Sequence, residues 1–179
     1  MAGSGKSTQV DLLGKHFKLK VIHSSRLFRE FNSLDTKTKG WWEKEQAREF
    51  TKKRFNDLNI DKAFDHHLMK LARKESSIAD SWTLPWLLKE SEVCSIYLLA
   101  SQEARAKRIA GRDKIPVEQA LKAVRQRDDE NIKLYFNLYN YRIDLDLQKF
   151  NLVLKTDNLS IKQINEVLKA FIKSYFKMK

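Results

Sequence analysis

The chain has 179 residues, 42% of them hydrophobic, enough for one core and too few for two full domains. Its 35 Lys and Arg against 23 Asp and Glu leave a net charge of +12, which favours anionic partners such as nucleotides, nucleic acid or membrane surfaces. No apolar run reaches transmembrane length, and Lys6 interrupts the N-terminal segment before a signal-peptide core could form, so the expectation is a cytoplasmic protein without a membrane partner. Cys94, the single cysteine, lies in the apolar stretch 93–99 with no metal-site spacing around it and reads as a packing residue. With 5 Gly, 2 Pro, no repeat and no linker-like stretch, residues 1–179 read as a single domain.

The chain opens on Gly3-Ser4-Gly5-Lys6-Ser7-Thr8, followed at once by an amphipathic segment, 9–17, with Val10, Leu12, Leu13 and Phe17 as its apolar positions. This is the second half of a phosphate-binding loop. In such a loop, successive backbone N–H groups and a helix N-terminus surround the phosphates and glycine permits the close approach; Lys6 is placed on the outer phosphates and Ser7 on magnesium. The complete pattern has a further glycine four residues before Gly5, one position ahead of Met1, and a strand feeding the turn. The expectation is therefore that the true start lies upstream and Met1 is an internal methionine.

Short apolar runs at 19–22, 77–79, 93–99 and 152–154 alternate with longer segments of helical periodicity, the order of an α/β fold with a parallel sheet. Two helices are expected between residues 41 and 75, broken near 57–59. Trp41 and Trp42 point about 100 degrees apart on a helix, so one is expected in the core and the other outside. His66 and His67 lack the spacing of a shared metal face and read as surface or partly packed residues. Pro116 opens a further helix with Val117, Ala120, Leu121 and Val124 as a narrow apolar stripe, polar enough overall to suggest mobility. The last helix starts behind Ser160 as N-cap and repeats apolar residues from Ile161 to Tyr175 at three- and four-residue steps.

Taken in order, several segments resemble the archaeal-type cytidylate kinases, within the P-loop nucleoside monophosphate kinases. Ser25-Arg26-Leu27-Phe28-Arg29-Glu30 is similar to that family's Gly-x-x-Phe-Arg-Glu segment, with Ser25 in place of the glycine. Ile60-Asp61-Lys62-Ala63-Phe64-Asp65 resembles its Ile-Asp-x-x-Ile-Asp element. Ile78-Ala79-Asp80-Ser81-Trp82, with Trp86 beyond, is similar to its strand ending in Asp/Glu-Gly-Arg; Trp82 stands where the family carries an arginine that helps hold the acceptor. The segment 101–112, with Arg105, Arg108 and Arg112 able to share one helix face, resembles the helix leading into the lid. Arg127-Asp128-Asp129, 152–156 and 159–161 match the C-terminal third, with Leu134 where some relatives carry another arginine.

The resemblance implies a P-loop three-layer α/β sandwich with a parallel sheet whose central first strand is missing from this chain, a helical acceptor-binding region at 25–76, and a lid with its flanking helix at 108–146. It implies transfer of the γ-phosphoryl group of ATP to a nucleoside monophosphate, CMP or dCMP, with Mg2+, by a monomer. Gly3, Ser4, Gly5, Lys6, Ser7 and Thr8 are then expected to bind ATP, Ser7 the metal, and Arg29, Asp80 and Asp128 the acceptor. Asp80 would orient a magnesium-bound water or an acceptor hydroxyl, while Lys6, Arg108, Arg112 and Arg127 would close over the transferring group. Two other readings remain open at this point: a related P-loop kinase with another acceptor, favoured by Trp82, and a non-catalytic basic module binding RNA or nucleotides, favoured by the net charge and by Lys173, Lys177 and Lys179.

Overall fold

The computed structural model describes residues 1–38, 41–89, 91 and 93–178; Lys179 lies outside the described residues. Helix α1 (Lys6–Phe17) ends where Lys18 adopts a left-handed conformation (φ 55°) and donates its N–H to the carbonyl of Gly14. The chain can then turn straight into β1 (Lys20–His23), from which α2 (Ser24–Phe31) departs without a connecting loop. After the 3-10 turn Trp41–Glu43 come α3 (Glu45–Asn56) and α4 (Asn59–Lys74), the expected pair with its break at Asp57 and Leu58. Strand β2 (Ser77–Asp80), short α5 (Leu84–Leu87) and β3 (Ile96–Leu99) follow. The remainder is α6 (Gln102–Asp113), α7 (Val117–Tyr139), the 3-10 turn Leu147–Lys149, β4 (Leu152–Lys155) and α8 (Ile161–Tyr175).

The strands pair in parallel, as expected, but as two separate pairs. β1 lies on β2 with Lys20 opposite Ser77 and His23 opposite Asp80, while β3 lies on β4 with Ile96 opposite Leu152 and Leu99 opposite Lys155. β2 and β3 each have one partner, and both line a cavity of about 630 Å³ that separates the pairs. Among the described residues no strand lies between them to carry the hydrogen bonds that would join the pairs into one sheet.

α8 is fixed at its start by a capping box, in which the Ser160 hydroxyl accepts from the N–H of Gln163 and the Gln163 side chain accepts from that of Ser160. Its stripe of Ile164, Leu168 and Ile172 packs with Leu13 of α1 and Leu98 of β3. Buried Gln9 reinforces the contact, donating to the carbonyl of Ile161 at 3.0 Å and accepting from Asn165 at 3.0 Å. A second core of Ile22, Phe28, Phe64, Leu68 and Leu84 seats α2 and α4 beside the first strand pair. A third, rich in alanine (Ala106, Ala110 and Ala120 with Ile109 and Val124), lets α6 and α7 approach closely. Trp41 is buried and Trp42 half-exposed, as expected, although they sit in the 3-10 turn rather than an α-helix. Cys94 lies on the wall of the large cavity, and burial pushes its thiol up to about 11, which keeps it unreactive near neutrality. No helix of the described residues is long and apolar enough to cross a membrane.

Candidate active site

The loop before α1 is shaped by glycine. Gly3 and Gly5 hold φ of 73° and 91°, the left-handed region that side chains disfavour. A Cβ on Gly3 would also stand 3.0 Å from the carbonyl oxygen of Arg105, so the loop packs against α6 only because that atom is absent. Ser4 is buried and donates its hydroxyl to the carbonyl of Met1, and Lys6 Nζ donates to the same carbonyl at 2.7 Å while lying 5.4 Å from the ring centre of Trp82. Burial lowers the Lys6 ammonium to about 8, with Asp80 opposing that effect and Arg127 adding to it. An ammonium that is costly to bury gains strongly from an arriving phosphate, and the N-terminus of α1 supplies unpaired N–H groups beside it.

Asp80, at the carboxyl end of β2, is where these elements meet. It is buried, and its Oδ2 accepts from Ser7 Oγ at 2.6 Å and contacts His23 Nδ1 at 3.1 Å, while Oδ1 accepts from the N–H of Ser24 at 3.0 Å. The other His23 nitrogen, Nε2, lies 3.0 Å from Asp11 of α1. Burial lowers the His23 pKa, but the hydrogen bonds and charges of Asp80 and Asp11 outweigh it and the net shift is upward.

Immediately after Asp80, residues Ser81, Trp82 and Thr83 form one wall of a small polar cleft of about 60 Å³. Its other walls carry Arg54, Asp61, Asp65, Trp42, Arg127 and Asn131. Arg54 and Asp61 are both buried and form a two-point pair, Nε to Oδ2 at 3.0 Å and Nη2 to Oδ1 at 2.6 Å, with the guanidinium 4.9 Å from the ring centre of Phe28. Arg127 lies over the Trp42 ring at 5.1 Å. Asp65 accepts from Thr83 Oγ1 and from the Tyr139 hydroxyl, each at 2.7 Å.

The structure thus brings Gly3 to Ser7, Asp80 and Arg127 toward one region. Arg108 donates to the carbonyl and hydroxyl of Thr156, beyond β4, and the exposed Arg112 pairs with Asp113. Arg29 donates to the carbonyl of Asp35 at 2.8 Å and does not line the cleft. Asp128 does not line it either: it is buried in a pair with Arg105, which also donates to the carbonyls of Ala2 and Ala100 and so ties α7 and β3 to the phosphate loop. Sequence reading missed His23 and Arg54, and it placed Arg105 on the helix leading into the lid without its pair with Asp128. Opposite charges on either side of the 57–58 break, and an apolar strand ending in a lone histidine, are the signals that point to the first two.

The sequence profile of the cytidylate kinase-like family matches residues 2–158. The chain belongs to the cytidylate kinase-like family. It is 37% identical to a cytidylate kinase of Sulfurisphaera tokodaii over 95% of this chain and 90% of that one. It is 35% identical to a cytidylate kinase of Pyrobaculum islandicum, over 89% of this chain and 82% of the other, and 29% identical to one of Pyrococcus horikoshii, over 96% and 84%. Among solved structures, an uncharacterized protein from Eubacterium ventriosum superposes with a TM-score of 0.67 at 17% identity, covering 96% of this chain and 93% of that one, which supports the fold alone.

One pH dependence follows for this cytidylate kinase-like chain. Burial pushes Asp65 up to about 6, against the pull of its Thr83 and Tyr139 donors. Its folded value lies above the unfolded one of about 3.9, so between those pH values the folded state holds a proton that the unfolded state has released. The resulting stabilisation is present below about pH 4 and lost as pH rises through 6. Relative to Asp65→Asn, the wild-type protein should lose up to about 3 kcal/mol of stability across that window. Urea unfolding of both proteins at pH 4, 5, 6 and 7 measures this, and parallel pH curves would contradict it.

Proposed function

We propose that the protein transfers the γ-phosphoryl group of ATP to a nucleoside monophosphate, CMP or dCMP in preference to others, yielding ADP and the nucleoside diphosphate. One observation carries this reading: the end of β2 places Asp80 on Ser7 of the phosphate loop and, one to three residues later, Ser81, Trp82 and Thr83 on the wall of the polar cleft. A donor nucleotide on the loop and an acceptor in the cleft would meet at Asp80. The family relatives named cytidylate kinase supply the acceptor class.

In this reading the N–H groups of Gly3, Ser4, Gly5, Ser7 and Thr8, together with Lys6, hold the donor phosphates. Arg127 is already on the cleft wall; Arg29, held on the carbonyl of Asp35, would have to leave it to reach the acceptor phosphate, as Arg108 and Arg112 of α6 would have to leave Thr156 and Asp113 to reach the transferring group. No side-chain base is needed, since the acceptor phosphate, with a second pKa of about 6, is largely dianionic at neutral pH and attacks directly. What the chain supplies is alignment and cancellation of charge between two polyanions.

The residues present fit magnesium. Ser7 and Asp80 offer a hydroxyl and a carboxylate 2.6 Å apart, both hard oxygen donors, and among the described residues there is no cluster of three or more His, Cys, Asp or Glu that would form an all-protein cage. Magnesium is held in this sparse way, by one or two protein oxygens together with substrate phosphates and water. When bound it would supply positive charge that offsets the charge of the transferring phosphoryl group. Ser7 would be the ligand in this assignment, with Asp80 beside it to orient a water of the metal or an acceptor hydroxyl.

The cleft of about 60 Å³ is smaller than the roughly 300 Å³ of a small-molecule site. We read residues 108–146 as the lid whose displacement from the helical region 25–76 admits the acceptor and whose closure excludes water that would otherwise hydrolyse ATP. We read the cavity between β2 and β3 as the seat of the central strand of a three-layer sandwich. A five-residue apolar strand joined ahead of Met1 should then stabilise the protein by a few kcal/mol, at about 1 kcal/mol per hydrogen bond gained, and slow amide exchange at 77–80 and 96–99. A Gly-Ser extension of equal length is the control, and equal stability of the two would refute the seat.

The function is tested by magnesium-dependent ADP formation from ATP with each monophosphate in turn. Stimulation by CMP or dCMP is expected, with Lys6→Ala reducing turnover by at least about a hundredfold. Preference for another base would assign Trp82 a changed specificity, and no turnover by folded protein would overturn the kinase reading.

A further inference from the structure

His23 is absent from every role assigned so far, yet it bridges two carboxylates from different elements. Its Nδ1 lies 3.1 Å from Oδ2 of buried Asp80 and its Nε2 lies 3.0 Å from Oδ1 of Asp11, one turn into α1. With a carboxylate at each nitrogen, both contacts are hydrogen bonds only when each nitrogen carries a proton. The Asp80 carboxylate is gripped at both oxygens, Oδ1 by the N–H of Ser24 and Oδ2 by His23 and Ser7. A Ser7 hydroxyl that gives a lone pair to a cation keeps its proton, so both Ser7 and His23 can act on Oδ2 at once. A carboxylate bonded at one oxygen can rotate about its terminal torsion, which is broad, whereas bonds at both oxygens fix its plane. His23 is the side chain that holds Oδ2 from β1, on an element separate from the loop that carries Ser7.

We propose that His23 is a positioning residue that holds Asp80 in the orientation needed to receive magnesium with the donor nucleotide, while its Asp11 contact anchors the ring to α1. This rests on the kinase reading above. Partners of this kind, which orient a group at a metal without touching the metal, typically contribute about 10- to 100-fold to metal affinity.

The test compares ADP affinity by calorimetry with magnesium and with EDTA, so that the readout is the gain in binding conferred by the metal rather than turnover. His23→Ala should leave metal-free ADP binding within about twofold and cut the magnesium gain by on the order of tenfold. His23→Asn, whose amide can donate to Asp80 from a position near that of Nδ1, should recover most of the gain. Should His23→Ala fail to fold, the Asn variant and Asp11→Ala carry the test: the gain should stay within about threefold of wild type in the first and fall less than in an Asp80→Ala protein in the second. An unchanged gain in His23→Ala, or a gain lost in a folded His23→Asn, overturns the proposal. A wild-type protein with no magnesium gain at all would overturn the kinase reading itself, a result distinguishable from either.

Discussion

The Asp80 carboxylate is the constraint around which this molecule is arranged. Burying a charge is expensive unless it is paired and hydrogen-bonded, and Asp80 meets that requirement with three donors drawn from three places: Ser7 at the start of α1, His23 at the end of β1 and the first N–H of α2. The β1–β2 register that sets His23 opposite Asp80 is therefore also what delivers the phosphate loop to the strand end. From the other side Arg105 repeats the device, with its guanidinium bound by Asp128 and by the carbonyls of Ala2 and Ala100. The loop is held between two buried charges of opposite sign, each satisfied by separate elements.

The Arg54–Asp61 pair does the same for the cleft. A buried ion pair adds little net stability compared with apolar side chains, but removing one member strands the other at a cost of about 3–5 kcal/mol. The pair ties α3 to α4 by two hydrogen bonds, Nε to Oδ2 and Nη2 to Oδ1, on the wall of the cleft. Arg54, Asp61, Asp65 and Thr83 line the cleft together with the aromatic rings of Phe28 and Trp42.

Much of this was legible because it depends on local chemistry. The glycine turn and helix start at Gly3 to Thr8 are contiguous; the break between α3 and α4, the Ser160 cap and the four strands follow from residues adjacent in sequence. The roles of Arg54, Arg105 and His23 depend on partners far away in sequence or across an element break, and periodicity carries no information about which charge meets which. Asp128 illustrates the same limit, since a sequence motif places it near a site while only packing shows that Arg105 takes both its oxygens. The division of the strands into two pairs is not written in the strands' own patterning, since each reads the same whether its second edge is covered or bare; the signal for a gap in the sheet is the loop motif, which lacks the strand that would feed it.

The central claim is that the loop and the cleft hold two nucleotides at once, with their phosphates meeting beside Asp80. Calorimetric titration with a dinucleotide in which adenosine and cytidine are joined through five phosphates tests it most directly. The account predicts binding at least about a hundredfold tighter than ATP or CMP alone, as for ligands that span a preorganised reacting site. Affinity no greater than that of ATP would mean that the two sites do not face each other, and would contradict the account.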